Sequence, residues 1–505
     1  MSVNYSSIVS INAPQNSRTV TNIYPASGTS FNSVNGQSVI SFAIPATAYL
    51  DPTASFLKFN AQITATPLAL NAAGQSAICL DNNANSFFNR AQLFTGDSGV
   101  LISEQQNHHF IAKHILKSYG QTYCDGIGKQ AMGYHEAFDA DDLTNTTTNL
   151  GNAIYNASIN TPKFAAALGT LGAGSVQGIP GAAVLAINSA ANTPVLGEVV
   201  EYAIPLSFFS GLFANSKNLL LPMKYMGKSN ALRLDLTLNT PQYALVATAA
   251  VAGAATFWDT ASNGTISYNL TNVELITSVV NMGSELDESV RDMVYSPESD
   301  GVSIQYPQYT SMLSSGWAAS TEQFQMIMTK YALSLEHVMI ELRDASKLGL
   351  FSYASVSGSR RFGLNQIQVA IGPRLSTNKP LRLDSPNYNG AAYLQLTQCA
   401  NRGNTLVSTD NFYQIGQLND KLSGFSVGFN WGSRTMSSAT ADAKAVFDAV
   451  DTRSGSSTVQ VVAYRDTGTP GWNTSDYAIP LAMLLIIETL APLLITPAGV
   501  IPTKD

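Results

Sequence analysis

Three of the five histidines lie close together, and their spacing is the first place to look for chemistry. His108, His109 and His114 occur with Glu104 in a segment predicted to be helical. A zinc protease would carry HExxH, with both histidines on one helical face, and the chain has no such motif. The five-residue step from His109 to His114 does not bring the two rings onto one face. The cluster therefore predicts a solvated or interfacial helix, and no metal is expected.

Two further patterns have the right residue types for chemistry but the wrong context. Residues 227–229 read Gly-Lys-Ser, like the end of a phosphate-binding loop, but Pro222 stands where that loop would open with glycine, and a strand follows. The acidic run DADD at 139–142 lacks the ligand spacing of a calcium loop and predicts a solvated turn. No GxSxG nucleophile elbow occurs. We therefore predict no catalytic residue, no cofactor and no enzymatic activity.

The cysteines indicate the compartment in which the chain is made. Cys79, Cys124 and Cys399 form an odd, widely spaced set, which favours buried, reduced thiols over a disulfide framework or a zinc site. The first residues, MSVNYSS, lack the basic and apolar regions of a signal peptide. Synthesis in the reducing interior of a cell is the expectation.

The composition limits the number of domains and the kinds of partner that the chain is expected to have. A chain of 505 residues is expected to form two or three domains. Charged residues make up 12 %, about half the usual ~25 %, although 45 % hydrophobic content can bury large cores. A neutral-polar surface suits a protein that packs against copies of itself. The net charge of −7, without a basic arm, predicts no specific nucleic-acid binding.

The pattern of apolar residues predicts many strands and few helices. In 232–238, LRLDLTL, leucines alternate with polar residues, as in a strand half buried on a sheet. Helices are predicted from Ser103, by the capping-box spacing to Gln106, and over Ser284–Val294. The apolar run Ile479–Ile495 contains Glu488 and two prolines and is too short to cross a bilayer, so it predicts a buried strand pair.

A weak internal repeat relates the two halves of the chain. NVELITSVVNMG, ending at Gly283, and IIETLAPLLITPAG, ending at Gly499, share an early acid, a β-rich centre and a final glycine. We therefore predict an all-β protein of two tandem antiparallel eight-stranded jelly-roll barrels with long loops and a few short helices. The predicted divisions are an N-terminal arm, 1–24; a first jelly roll, 25–282, with a loop insertion at 144–194; a linker helix, 283–300; and a second jelly roll, 301–505.

One stretch, 198–239, carries a resemblance to a known family. A strand is followed by IPLSFF, then LLLP, then LRLDLTL. This order resembles the end of the first barrel in double jelly-roll major capsid proteins of nucleocytoplasmic large DNA viruses, virophages and polinton-like viruses. Ser229 and Asn230 stand where that family often has a His-Glu pair. The predicted structural signature consists of Pro205, Phe208, Phe209, Leu220, Leu221, Pro222, Leu232, Leu234 and Leu236.

The resemblance implies a function. It implies a major capsid protein that assembles as homotrimers, each a pseudo-hexagonal tile of an icosahedral DNA-virus shell. The implied partners are neighbouring capsomers together with penton and minor capsid proteins, and the implied location is the virion. No membrane span is expected, and contact with an inner membrane is left open. The arm is expected to face inward, so that removing residues 1–20 would spare trimers and weaken shell assembly.

Two other functional classes remain open at the level of sequence. One is a β-sandwich lectin or glycosidase, which would need clustered carboxylates or exposed aromatic residues on a concave face and usually a secretion signal. The other is a viral spike or fibre protein, which would show short regular repeats.

Overall fold

The computed structural model describes residues 3–4, 15–35, 38–68, 76–119, 121–134, 184–187, 192–214, 220–249, 257–296, 301–330, 332, 334–372, 374–375, 379–383, 390–400, 425–431, 458–465, 477–497 and 499–502. Most of the predicted loop insertion, 144–194, and the acidic run at 139–142 lie outside these ranges.

The first half of the chain folds into two facing four-stranded antiparallel sheets. One has the order β10 (Val195–Pro205), β5 (Tyr49–Pro67), β13 (Gly264–Met282) and β2 (Gln15–Ile23), with β3 (Phe31–Asn32) also paired to β13. The other has the order β4 (Val39–Pro45), β11 (Asn230–Leu238), β7 (Phe88–Thr95) and β8 (Leu101–Gln106). A small third sheet joins β12 (Leu245–Ala249), β6 (Ser76–Leu80) and β9 (Val184–Ile187).

The second half repeats this arrangement. One sheet has the order β14 (Val302–Trp317), β22 (Leu481–Thr496), β16 (Ser334–Asp344) and β20 (Val427–Asn430), with β1 (Val3–Asn4) parallel to β14 and β23 (Gly499–Pro502) paired to β22. The other has the order β15 (Gln323–Thr329), β21 (Thr458–Arg465), β17 (Leu364–Ile371) and β18 (Arg374–Leu375), with β19 (Leu381–Arg382) paired to β17.

The two halves share one topology. If the eight main strands of each half are counted in chain order, one sheet runs 6-3-8-1 and the other 2-7-4-5 in both halves. This is the order of an eight-stranded jelly roll. The predicted fold class is therefore confirmed, and the repeat between the closing strands is real: β13 and β22 are the eighth strands of their barrels.

Half-burial explains the alternating strands. In β5, Leu57, Phe59 and Ile63 point into the core at 0–1 % exposure, while Lys58 and Asn60 on the other face remain partly exposed. In β22, by contrast, residues 481–489 are all buried, because both faces of the strand are covered. A strand buried on both faces reads as a continuous apolar run. The prediction of a buried segment here is right, but it is one long strand and not a strand pair.

Both helices that the sequence predicts are present, but one of them begins at a different residue. Helix α2 (Ser284–Tyr295) lies between the barrels in chain order, and α3 (Gly390–Ala400) lies in the second half. Helix α1 (His108–Ser118) begins after Asn107, whose φ of 51° is left-handed. The predicted start at Ser103 is wrong, because Ser103 and Gln106 belong to β8 and pair with β7. No helix in the described ranges is long and apolar enough to cross a membrane.

The predicted N-terminal arm is wrong for residues 15–23. They form β2, which pairs with β13 from Leu275 to Met282 and is the first strand of the first barrel. The sequence conceals this strand because β2 is an edge strand and its described side chains are mostly exposed, so it has little apolar alternation. Val20, for example, is 62 % exposed.

The described residues form two hydrophobic cores. One is confined to the second barrel, between β16 and β22 on one side and β17 and β21 on the other. The other fills the first barrel and continues onto the second, where it includes Met339, Leu484 and Ile486. The two barrels are therefore joined by a continuous apolar contact.

Candidate functional site

The signature stretch forms a buried corner of the first barrel. Pro205 ends β10, and Phe208 and Phe209 are fully buried after it. The Phe209 ring stacks on His108 at 5.2 Å and meets Phe88 edge-on at 5.7 Å. The corner thus anchors α1 to the first barrel.

The rest of the predicted signature is also mostly buried in the first barrel. Leu221 and Pro222 are buried, and Leu221 exchanges two backbone hydrogen bonds of 2.8 Å with Leu50. Leu220 is only partly buried. The alternating leucines of β11 lie inside the barrel at 0 % exposure, namely Leu232, Leu234 and Leu236.

The Gly-Lys-Ser sequence builds an anion-binding turn, but a side chain of the same chain occupies it. The backbone N–H groups of Lys228, Ser229 and Asn230 all donate to the Asp97 carboxylate, the last two at 3.1 and 3.0 Å. These three hydrogen bonds lower the pKa of Asp97. The turn therefore pins the β7–β8 hairpin to the start of β11 and does not offer a phosphate site.

Helix α1 is one of the contacts between the barrels, and it is basic. Its eleven residues, HHFIAKHILKS, include three histidines and two lysines, and residues 108–117 are all buried. The predictions of a solvated or interfacial helix were therefore half right: α1 is interfacial, but within the chain. Phe110 packs under the Arg343 guanidinium of β16, 4.2 Å from the ring centroid.

A buried network of ion pairs connects α1 with β16. Lys113 of α1 donates to Glu341 at 3.3 Å and to Ser359 at 3.2 Å. Arg343 donates to the same Glu341 oxygen at 2.5 Å and to the Ser355 carbonyl at 2.7 Å. Because buried charges must be paired and hydrogen-bonded, an arrangement of the barrels that separated α1 from β16 would leave these charges unpaired at a cost in free energy.

The network shifts the pKa values of its members. Burial lowers the pKa of Lys113 to about 7, although Glu341 opposes the shift. Burial alone would raise the pKa of Glu341, but the charges of Lys113 and Arg343 outweigh it and lower the pKa to about 2. Glu341 is therefore ionised across the physiological range.

A second buried contact joins the barrels through Asp81, which follows β6. Its carboxylate accepts from the Ser357 hydroxyl and, at 2.7 Å, from the Val356 backbone N–H of the second barrel. Burial raises the pKa of Asp81, and these hydrogen bonds act against the shift. Asp81 and the Lys113–Glu341–Arg343 network together form what we call the junction.

The closing strands carry equivalent acid–base pairs in different surroundings. Glu274 of β13 is opposite Lys58 of β5, at 3.1 Å, and Glu488 of β22 is opposite His337 of β16, at 3.2 Å. In each barrel the eighth strand supplies the acid and the third strand the base. The first pair is partly exposed, whereas the second is buried, and the His337 ring lies 5.8 Å from His114 of α1.

Within the described ranges, no group of three or more His, Cys, Asp or Glu residues could hold a metal ion. The three cysteines are free and buried. The paired charges of the junction connect one barrel with the other.

Substitution of Gly211 tests how closely the two barrels approach each other. Gly211 begins a short helix, Gly211–Ala214, of the first half of the chain. A Cβ there would overlap the backbone carbonyl of Pro307 in β14. We expect Gly211→Ala to destabilise the protein by at least about 1–3 kcal/mol, since one barrel must move away from the other. Gly126→Ala is the control, because nothing lies within 4 Å of its Cβ. Equal urea midpoints for the two variants would contradict the close approach.

Sequence reasoning missed the junction. Lys113 and Glu341 are 228 residues apart, and no local pattern links them. The available signal was the concentration of basic residues on α1, a helix with an otherwise apolar sequence. That signal indicated an interface but not its partner.

The fold and the junction define a double jelly-roll protein, and the comparisons agree. No protein-family model and no curated protein matches the sequence. A chain in the cryo-EM structure of the Sputnik virophage is similar over 98 % of this chain and 90 % of that one, with 12 % identity and a TM-score of 0.55. The mavirus major capsid protein is 12 % identical over 98 % of this chain and 92 % of its own, with a TM-score of 0.48. At such identities, the likeness to the Sputnik chain shows the fold.

Proposed function

We propose that this chain is a major capsid protein whose copies join as pseudo-hexagonal trimers and tile the icosahedral shell of a DNA virus. The proposal includes a structural, non-enzymatic role and a location in the virion. It also includes the division into a first jelly roll, a linker helix at 283–300 and a second jelly roll at 301–505, with the first barrel now beginning at residue 15.

One observation carries the proposal: corresponding faces of the two barrels are covered differently. Every residue of β16 from Leu335 to Asp344 is buried, because α3 of its own barrel and α1 of the first barrel pack on that sheet. On the corresponding strand of the first barrel, β5, the outward residues Lys58, Asn60 and Gln62 are partly exposed. A second copy that placed its own second barrel there would cover this face.

Such contacts would run head to tail from copy to copy. Each subunit would offer one covering surface and one open face, so the interface is heterologous and must either close into a ring or extend without limit. Three copies of a two-barrel chain would close with six barrels around one axis. An obligate interface of this kind buries about 2,000 Å² or more.

The proposed partners follow from the tile. They are two further copies within the trimer, neighbouring capsomers around it, and penton and minor capsid proteins at special positions of the shell. The likeness to a chain of the Sputnik virophage supports the proposal as an analogy of fold.

Electron microscopy of the purified protein tests the function. Hexagonal tiles of three subunits, and shells under assembly conditions, are the expected result. Compact monomers would favour a lectin or glycosidase, and rods would favour a fibre; either outcome would overturn the proposal.

Two N-terminal truncations test where the first barrel begins. Removal of residues 1–14 leaves β2 intact, and we expect soluble trimers. Removal of 1–23 takes away the strand that pairs with β13, and we expect aggregation or loss of soluble protein. This replaces the expectation that loss of 1–20 spares trimers. Equal trimer yields in size-exclusion chromatography from both truncations would show that β2 is dispensable.

A further inference from the structure

Strand β15 is an outer strand of the second barrel, and one of its two edges is open. Its sequence is QFQMIMT, and its one strand partner among the described residues is β21. The side chains on its outer face are exposed, and Ile327 among them is 51 % exposed. An open edge of this kind presents unpaired N–H and C=O groups that can pair with another strand.

Other outer strands are protected by charged residues or by a covering segment. Strand β2 carries Arg18, β8 carries Glu104 and β10 carries Glu198. Strand β4, which corresponds to β15 in the first barrel, is uncharged, but the Ala26 N–H donates to its Ser41 carbonyl at 3.1 Å. Such features keep an outer strand from pairing with other chains. In the part of the chain that the structure describes, β15 has neither.

The backbone groups on the open edge belong to every second residue of β15. The Arg465 N–H donates to the Glu322 carbonyl at 2.8 Å, which extends the ladder between β15 and β21 by one pair. Hydrogen-bonded pairs alternate along an antiparallel ladder, so the residues between them direct their N–H and C=O groups to the open edge. These residues are Gln323, Gln325, Ile327 and Thr329.

Charged residues of opposite sign flank this uncharged strand. Glu322 precedes β15 and is exposed, and Lys330 follows it. When two copies of β15 lie antiparallel with their Met326 residues opposite each other, Glu322 of each copy lies opposite Lys330 of the other. The same register sets Gln325 opposite Ile327, so that open-edge groups meet open-edge groups and exposed side chains meet exposed side chains. The edge is therefore complementary to itself.

We propose that β15 is a two-fold contact between copies of this chain, in which the edges of two second barrels join into one continuous antiparallel sheet. The open-edge residues exchange about eight backbone hydrogen bonds across the contact. Opposite charges meet at both ends of the paired strands. A parallel pairing in register would instead set Glu322 beside Glu322 and Lys330 beside Lys330, and like charges directly opposite each other are destabilising.

This contact differs from the head-to-tail contact of the proposed trimer. A two-fold contact is isologous and closes at two copies, so between trimers it joins one tile to the next. It does not depend on the trimer, because two single subunits can form it. A strand of seven residues buries a small area, so the contact is weak between single subunits and gains strength when a shell repeats it.

Disulfide trapping with the full chain tests the register. Chains with Gln325→Cys and chains with Ile327→Cys, one of them tagged, are mixed and oxidised with diamide; the three native thiols are buried. Directly opposed Cα atoms are about 5.5 Å apart, within reach of a disulfide. The mixed disulfide should form at least about tenfold faster than in a control mixture of Gln323→Cys and Gln325→Cys chains, whose cysteines lie about 13 Å out of register. Equal rates in the two mixtures would overturn the proposal.

An exchange of charges tests whether the partner is a second copy. Glu322→Lys, added to both trapping chains, sets lysine opposite Lys330 at each end, and the trapping rate should fall about tenfold at low salt. The further substitution Lys330→Glu restores opposite charges and should recover most of the rate. Equal melting temperatures show that the variants remain folded. An unchanged rate in the first variant, or no recovery in the second, would overturn the proposal.

Discussion

Glu341→Ala is expected to reduce the free energy of unfolding by about 3–5 kcal/mol, since it leaves Lys113 and Arg343 buried without their shared carboxylate. Removal of one partner of a buried ion pair costs more than the pair contributes, because the remaining charge stays desolvated. Urea denaturation followed by tryptophan fluorescence measures the loss, and size-exclusion chromatography shows whether the subunit still assembles.

Glu274→Ala is the matched control for this variant. It removes the equivalent acid of the first barrel, whose partner Lys58 is partly exposed. Exposed pairs contribute about 0–1 kcal/mol. If the two substitutions lower the urea midpoint equally, the junction is not the buried contact described above. Partly restored stability in the double variant Glu341→Ala, Lys113→Met, in which only Arg343 lacks its carboxylate, would show that the cost arises from unpaired cations.

Leu234→Asp should have an effect of similar size, through the core of the first barrel. Leu234 is 0 % exposed in the middle of β11, between Phe42 of β4 and Leu93 of β7. A carboxylate there would be buried without a partner, and a loss of more than about 4 kcal/mol is expected. Soluble yield and the urea midpoint measure it.

Leu196→Asp is its control, because Leu196 lies in a strand of the same barrel, β10, but is 62 % exposed. A surface substitution of this kind is expected to change stability by no more than about 0.5 kcal/mol. A stable Leu234→Asp protein would show that the alternating strand does not face the core.

Much of the fold could be predicted because the residues of a strand alternate according to which of its two faces is buried. The leucines of β11 and the outward polar residues of β5 alternate with a period of two, since each strand has one face in a core and one outside it. The closing strands β13 and β22 could be matched because they occupy the same position in two copies of one topology. Edge strand β2 could not be found, because most of its described side chains do not contact a core.

The candidate site was harder to predict from the sequence, because its side chains contact partners that are distant along the chain. The Gly-Lys-Ser sequence does not predict a phosphate loop, and no local pattern indicates that its turn binds the carboxylate of Asp97, more than 130 residues earlier in the chain. The start of α1 was misplaced because Ser103 and Gln106 have capping-box spacing and yet pair with β7. Pairing across a sheet overrode a weak local preference.

The sequence alone determined that this chain forms two similar all-β units with neutral-polar surfaces, since periodicity, composition and an internal repeat are local properties. Only the tertiary structure decided which charges are buried and what they meet. Lys113, Glu341 and Arg343 look like surface residues in the sequence, and they become a junction because the first barrel lies against one face of the second. The physical reason is that desolvation depends on what covers a side chain, and the covering residues come from the other half of the chain.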